Sequence, residues 1–228
     1  MKATAVKFAL FPLIGLSALA LKPCACAQGT VRFAPSPSYL IEYSPAPGEY
    51  APIPVGNPAQ VGAYGNLNVQ VYYAPVGTPP PFTADGASLI PAPWTPSSSS
   101  PLQQIVPLAG VLFGYNLTLA EATSGASEEV LVVGWTGPYA NWNSAYTASS
   151  ANPSGVLLAW TGSGASGGAL AWVNGTGNPN AIPPTVPVPL TTGPAGYNGL
   201  VFESIPEPSL FALAGVGTAM LIILRRCR

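Results

Sequence analysis

The sequence predicts an all-β fold, a single β-sandwich of the immunoglobulin-like or jelly-roll-like kind. Three observations point there. Short segments of Val, Leu, Tyr and Trp alternate with polar residues or run continuously apolar over strand-like lengths. Turn-forming residues punctuate them throughout, with 28 Pro and 25 Gly in 228 residues. No stretch between residues 28 and 203 carries the 3.6-residue period of a long amphipathic helix.

Each element follows from local pattern. Thr30 to Phe33 reads as a first strand. Residues 34 to 62, rich in Pro, Gly and Tyr, read as an extended surface loop. From Asn66 to Tyr73, Leu67, Val69, Val71 and Tyr73 fall on one face and Asn66, Asn68, Gln70 and Tyr72 on the other, which predicts a half-buried strand. Pro79 to Pro81 and Ser97 to Ser100 mark loops. Val111, Phe113, Tyr115, Leu117 and Leu119 alternate against Asn116 and Thr118. Val130 to Trp135 is nearly continuous and apolar, as in a strand buried on both faces. Val156 to Trp160 and Ala169 to Val173 flank a Gly/Ser loop and suggest a hairpin. Leu200 to Phe202 is placed to close the sheet.

Composition narrows the function class. Only 7% of residues are charged while 48% are hydrophobic, against about 25% charged in an ordinary soluble domain. Between residues 28 and 207 Arg32 is the lone basic residue among eight acids: Glu42, Glu49, Asp85, Glu121, Glu128, Glu129, Glu203 and Glu207. Such a surface repels phosphate, so nucleic acid is not an expected partner. The chain holds no histidine, and no lysine lies between Lys22 and the C-terminus, so a serine nucleophile lacks its usual bases. Gly164-Ala165-Ser166-Gly167-Gly168 fits G-x-S-x-G, and Gly162, Gly164 and Gly167 fit G-x-G-x-x-G. Both lie in one Gly/Ser-rich loop with no helix after it, where such matches arise by chance. Asp85 is the sole aspartate, which leaves no D-x-D calcium loop, and no metal or cofactor is expected. Glu128 and Glu129 are adjacent on a predicted strand and so point to opposite faces.

The two ends read as addresses. Lys2 and Lys7 precede an apolar run from Phe8 to Leu21 and then Ala25-Cys26-Ala27, the pattern of a signal peptide spanning residues 1–27 with Gln28 as the new N-terminus. Cleavage removes Cys24 and Cys26. Cys227, in the tail, is the one remaining cysteine, so residues 28–203 form no disulfide. Residues 204–228 carry Ile205-Pro206-Glu207-Pro208-Ser209, an apolar stretch from 210 to 224, and Arg225, Arg226 and Arg228. As a helix that stretch would reach ~22 Å, short of the ~30 Å hydrocarbon layer, and the arginines would stay on the cytoplasmic side.

The motif, the apolar stretch and the arginine cluster, in that order, resemble the PEP-CTERM sorting signal of bacterial exosortase substrates. The resemblance implies transient anchoring in the membrane, cutting at or near Pro206-Glu207-Pro208 by an exosortase, and release to the cell surface or outside. A small group of such proteins from environmental bacteria is also similar at Gln28 to Phe33, at Val69 to Pro75, at Gly134-Trp135 with Tyr139 to Ala145, and at Gly199 to Phe202. The expectation is therefore an exported, non-enzymatic cell-surface or extracellular matrix protein, associated with exopolysaccharide or biofilm and processed by signal peptidase and exosortase. The alternative is a carbohydrate-binding module that uses exposed aromatics; a glutamate-based hydrolase comes second. Tyr139, Trp142 and Tyr146, in a polar stretch with Asn141, Asn143 and Ser144, form the candidate ligand patch, whereas Trp135 and Trp160 read as core.

Overall fold

The computed structural model describes residues 28–33, 37–46, 48–98, 100–190 and 195–204. Among them, eleven strands and one α-helix follow in order: β1 (Gln28–Phe33), β2 (Ile41–Ala46), β3 (Glu49–Pro52), β4 (Leu67–Pro75), β5 (Thr95–Pro96), β6 (Tyr115–Thr123), β7 (Ser127–Thr136), α1 (Trp142–Ala151), β8 (Leu158–Trp160), β9 (Trp172–Gly175), β10 (Val188–Pro189) and β11 (Leu200–Phe202). The fold is all-β apart from that helix.

The centre is the antiparallel pair β4–β7, in register from Leu67 opposite Thr136 to Pro75 opposite Glu128. Both strands are long, and from Val130 to Trp135 β7 is apolar, valine-rich and buried, which suits a pleated surface covered on two sides. Pleating sorts the pair into two faces. Val69, Val71, Tyr73, Val130 and Val132 join one apolar cluster with Val31 and Phe33 of β1, Leu117 and Leu119 of β6, Ile41 of β2 and Phe202 of β11. Tyr72, Ala74, Leu131, Val133 and Trp135 join a second cluster with Trp142 and Ala145 of α1, Leu158, and Phe82, Ile90 and Trp94 of the proline-rich segment. The half-burial expected of β4 is thus overturned. Asn68 and Gln70, on its polar face, are 1% and 3% exposed.

Two smaller sheets border the first cluster, ordered β10-β1-β6 and β11-β2-β3. β2 and β3 replace the surface loop expected over residues 34–62. Prolines hid them. β3 is an edge strand, where the missing N–H of Pro52 breaks no ladder, and Pro45 lies beyond the residues that β11 pairs. β6 starts at Tyr115, not at Val111. The preceding residues fold back on residues 104–106 instead: Val106 N–H donates to Val111 O and Phe113 N–H to Gln104 O. That turn leaves the Phe113 side chain exposed.

The expected hairpin of residues 156–173 is also corrected. β8 pairs antiparallel with the far half of β7 (Trp135 opposite Leu158) and β9 with its near half (Val130 opposite Trp172), so both dock on the same edge of β7 rather than on each other. Thr161 carries the register on between them. Its N–H donates to Val132 O, and its hydroxyl accepts from Val132 N–H. β11 does not close this sheet. It runs parallel to β2 and meets β8 at the isolated Leu158–Glu203 bridge rather than as a ladder partner.

Residues 139–146, expected as a polar loop, contain the start of α1. Asn141 sits in extended backbone as N-cap, and its Oδ1 accepts from Ser144 N–H at 2.9 Å. Trp142, Ala145 and Ser149 then fall on one buried helical face.

Candidate functional site

The patch of Tyr139, Trp142 and Tyr146 is not an exposed platform. Trp142 is completely buried, and its Nε1–H donates to Ser88 O at 2.8 Å. The helix turns it inward, because the N-cap at Asn141 fixes where the first turn points. Tyr139 and Tyr146 are half-buried beside the same cluster, and Tyr139 O accepts from Trp135 Nε1 at 2.9 Å. Tyr72, in that cluster, has its hydroxyl pushed up to about 12 by burial, with the Trp142 backbone pulling partly back.

Indole N–H groups take up backbone carbonyls along the proline-rich segment, which offers few ladder partners. Trp94 donates to Pro79 O, Trp142 to Ser88 O and Trp160 to Thr83 O. Asn143 adds a two-point clamp, accepting from Ile90 N–H and donating to Ile90 O.

Trp160 itself departs from the expected core role. It ends β8 at the sheet margin, partly exposed, with Phe82 tilted against it at 6.0 Å. It lines a cleft of about 250 Å³ together with Asp85, Ser163, Gly164, Glu203 and Ser204. β11 delivers Glu203 through the bridge to Leu158, and Gly164 N–H donating to Ala84 O at 3.0 Å holds the facing turn. Arg32 is not among the lining residues.

The Gly/Ser loop that forms one wall explains its own composition. Gly162 has φ +74°, and a Cβ there would lie 2.5 Å from Leu170 N. Ser166, the serine of the G-x-S-x-G match, is buried with its Oγ accepting from Val201 N–H at 3.0 Å. Ser166 N–H in turn donates to Ser163 Oγ at 3.0 Å. The match therefore describes a latch between this loop and β11.

A second cleft, of about 330 Å³, brings Glu121 of β6 and Glu128 of β7 beside Tyr73. Glu121 N–H donates to the Tyr73 hydroxyl at 3.1 Å. Burial raises the Glu128 carboxyl above its ordinary range. Burial chiefly, then the charges of Glu121 and Glu128, raises the Tyr73 hydroxyl, against hydrogen bonds from the Glu121 and Ala120 backbone. Glu129 points away from this cleft, toward Gly77 N–H, as the strand alternation requires. Adjacent glutamates thus separate, and Glu121 and Glu128, either side of the β6–β7 turn, line one cleft.

Gln28 opens β1, with the chain bulged there. The remaining cleavage residues, Ala25 and Ala27, lie outside the described residues, as do Ile205, Pro206, Glu207, Pro208, Ser209, Arg225, Arg226 and Arg228. Among the described residues no helix is long and apolar enough to cross a membrane, and no three His, Cys, Asp or Glu side chains group as metal ligands.

No protein-family model, no curated protein and no solved structure matches this chain.

Proposed function

We propose that this is an exported, non-enzymatic cell-surface or extracellular matrix protein, sorted by an exosortase and associated with exopolysaccharide. The observation that carries the reading is the order of parts along the chain. A basic and apolar leader with Ala25-Cys26-Ala27 stands at one end; Pro206-Glu207-Pro208, an apolar stretch and three arginines stand at the other. One structural fact supports it. β11 ends at Phe202, shortly before Ile205, so along the chain the motif comes soon after the last described strand. The body also holds only Arg32 as a cation, which suits contact with neutral polymers rather than phosphate.

The test is the mass of the product from the full chain in a host that carries an exosortase, with and without Pro206→Ala and Pro208→Ala. The expected product starts at Gln28 and ends near the motif, and the double variant keeps its tail. A product that retains residues 210–228 in both cases would overturn sorting and leave a tethered protein.

We also read the layers on the first face of β4–β7 as the two sheets of a β-sandwich. Support comes from the shared apolar cluster of β1, β2, β6, β11 and the central pair. A crystal structure would then have to show strands of the two layers within about 30° of each other.

A further inference from the structure

We propose that the cleft at Trp160 binds one neutral pyranose unit of a polysaccharide, stacked on the indole and hydrogen-bonded to Asp85 and Glu203. Exposure singles out this tryptophan. Trp94, Trp135, Trp142 and Trp172 are 6%, 0%, 0% and 5% exposed, whereas Trp160 remains partly open where it lines the cleft. An indole left in water is a cost that packing has removed at the other four positions. Its N–H is already committed to Thr83 O, so what it offers a ligand is apolar ring surface.

The polar wall then fixes the ligand's chemistry. Asp85 and Glu203 present carboxyl oxygens that accept hydrogen bonds. No cation lines the cleft to balance them, so a phosphate or uronate would meet repulsion. A ligand rich in hydroxyl donors, uncharged, with an apolar C–H face satisfies both walls. The volume, about 250 Å³, falls below the roughly 300–1,000 Å³ of larger ligand sites, which limits occupancy to one ring. The walls are tied in advance by Gly164 N–H to Ala84 O, Gly162 N–H to Gly167 O and Gly167 N–H to Ser163 O, so little ordering is left for binding to cost.

The cleft also supplies its own control. A Cβ added at Gly164 would meet no atom within 4 Å, so a side chain there would occupy the cleft without displacing the fold. The full chain, purified in mild detergent, is titrated calorimetrically with neutral glucose, mannose and galactose tetrasaccharides, and with galacturonate tetrasaccharide as the acidic control. At least one neutral saccharide is expected to bind, with affinity lowered roughly tenfold or more in Trp160→Ala. Gly164→Leu is expected to lose binding at an unchanged melting temperature, and Asp85→Asn to weaken it. Absence of binding by every neutral saccharide overturns the proposal. So does binding that survives both Trp160→Ala and Gly164→Leu, or equal affinity for the galacturonate. The inference rests on the matrix reading only for the source of the polysaccharide. A chain that binds saccharide but keeps its tail sinks the sorting reading alone, and a sorted chain that binds none sinks this one alone.

Discussion

The two faces of the β4–β7 pair are equally buried by different chemistry. On one, valines meet the side chains of β1, β6 and β11, and the contact is almost wholly apolar. On the other, Asn68 and Gln70 are buried on the face that also carries Tyr72 and Trp135; Asn68 is bonded through both its amide nitrogen and its oxygen, whereas Gln70 is bonded through Nε2 and its Oε1 has no partner. Asn68 Nδ2 donates to Trp135 O and Gly137 O at 3.3 and 2.9 Å, and its Oδ1 accepts from Gln103 Nε2 at 2.7 Å. Gln70 Nε2 donates to Ser98 O at 2.6 Å. Alternation in a sequence identifies the apolar face of a strand. It does not show that the polar face meets water, because buried amide side chains can bond to backbone carbonyls and to one another in the interior.

The largest break of this contrast is Trp142→Ala. It should cost about 3–5 kcal/mol in urea unfolding, as removal of a buried aromatic does. A loss under about 1 kcal/mol would return Trp142 to the surface and revive it as a ligand contact.

Alkaline titration follows in size, since each face hides a tyrosine hydroxyl. Tyr72 is pushed up to about 12 by burial, and Tyr197, on the first face, is raised in the same way with no hydrogen-bond partner for its hydroxyl. Above about pH 10 the unfolded chain releases these protons while the folded chain keeps them, so stability falls as pH rises. Tyr72 alone should remove about 2–3 kcal/mol between pH 10 and 12, and nothing below that window. Urea midpoints at stepped pH check this. A Tyr72→Phe chain with the same alkaline slope would refute the assignment.

The apolar face is sharpened by Gly134→Ala. A Cβ there would collide with Phe202 Cζ, because the tip of the ring rests against the glycine. Overpacking should cost about 1–3 kcal/mol, read from the denaturation midpoint, and Phe202→Leu in the same chain should recover part of it. The smallest effect is expected at the helix that covers the polar face. Asn141→Ala removes the cap on Ser144 N–H and should cost about 1 kcal/mol, with Asn141→Asp close to neutral. Equal losses in both would show that Asn141 acts through some contact other than the cap.

β1, β4 and β7 are legible in the sequence because regular alternation or an unbroken apolar run leaves few alternatives. The β2–β3 hairpin is not, since Pro45 and Pro52 suppress the strand signal at positions where an edge tolerates them. α1 is short and full of Ser, Thr and Asn, residues that favour caps and turns, and it forms because Trp142 and Ala145 have a cluster to enter. The proposed sorting patterns at the two ends are linear, so they are legible in the sequence alone. The Trp160 cleft is the opposite case. Asp85, Trp160 and Glu203 are far apart in the chain; the bonds of Trp160 to Thr83 O and Gly164 to Ala84 O bring the Asp85 segment there, and the Leu158–Glu203 bridge brings Glu203.

The last strand also determines how the body bears tension. A pull on the chain beyond Ser204 enters through β11, which is bonded to β2 on one side and, through Glu203, to β8 on the other; the Ser166 hydroxyl grips Val201 between them. Tension directed along the strand would bear on these lateral hydrogen bonds. Phe202, seated over Gly134 in the central sheet, adds a side chain that must be dragged out of the core before the strand can slide. A strand only three residues long is thereby fastened to four separate parts of the molecule.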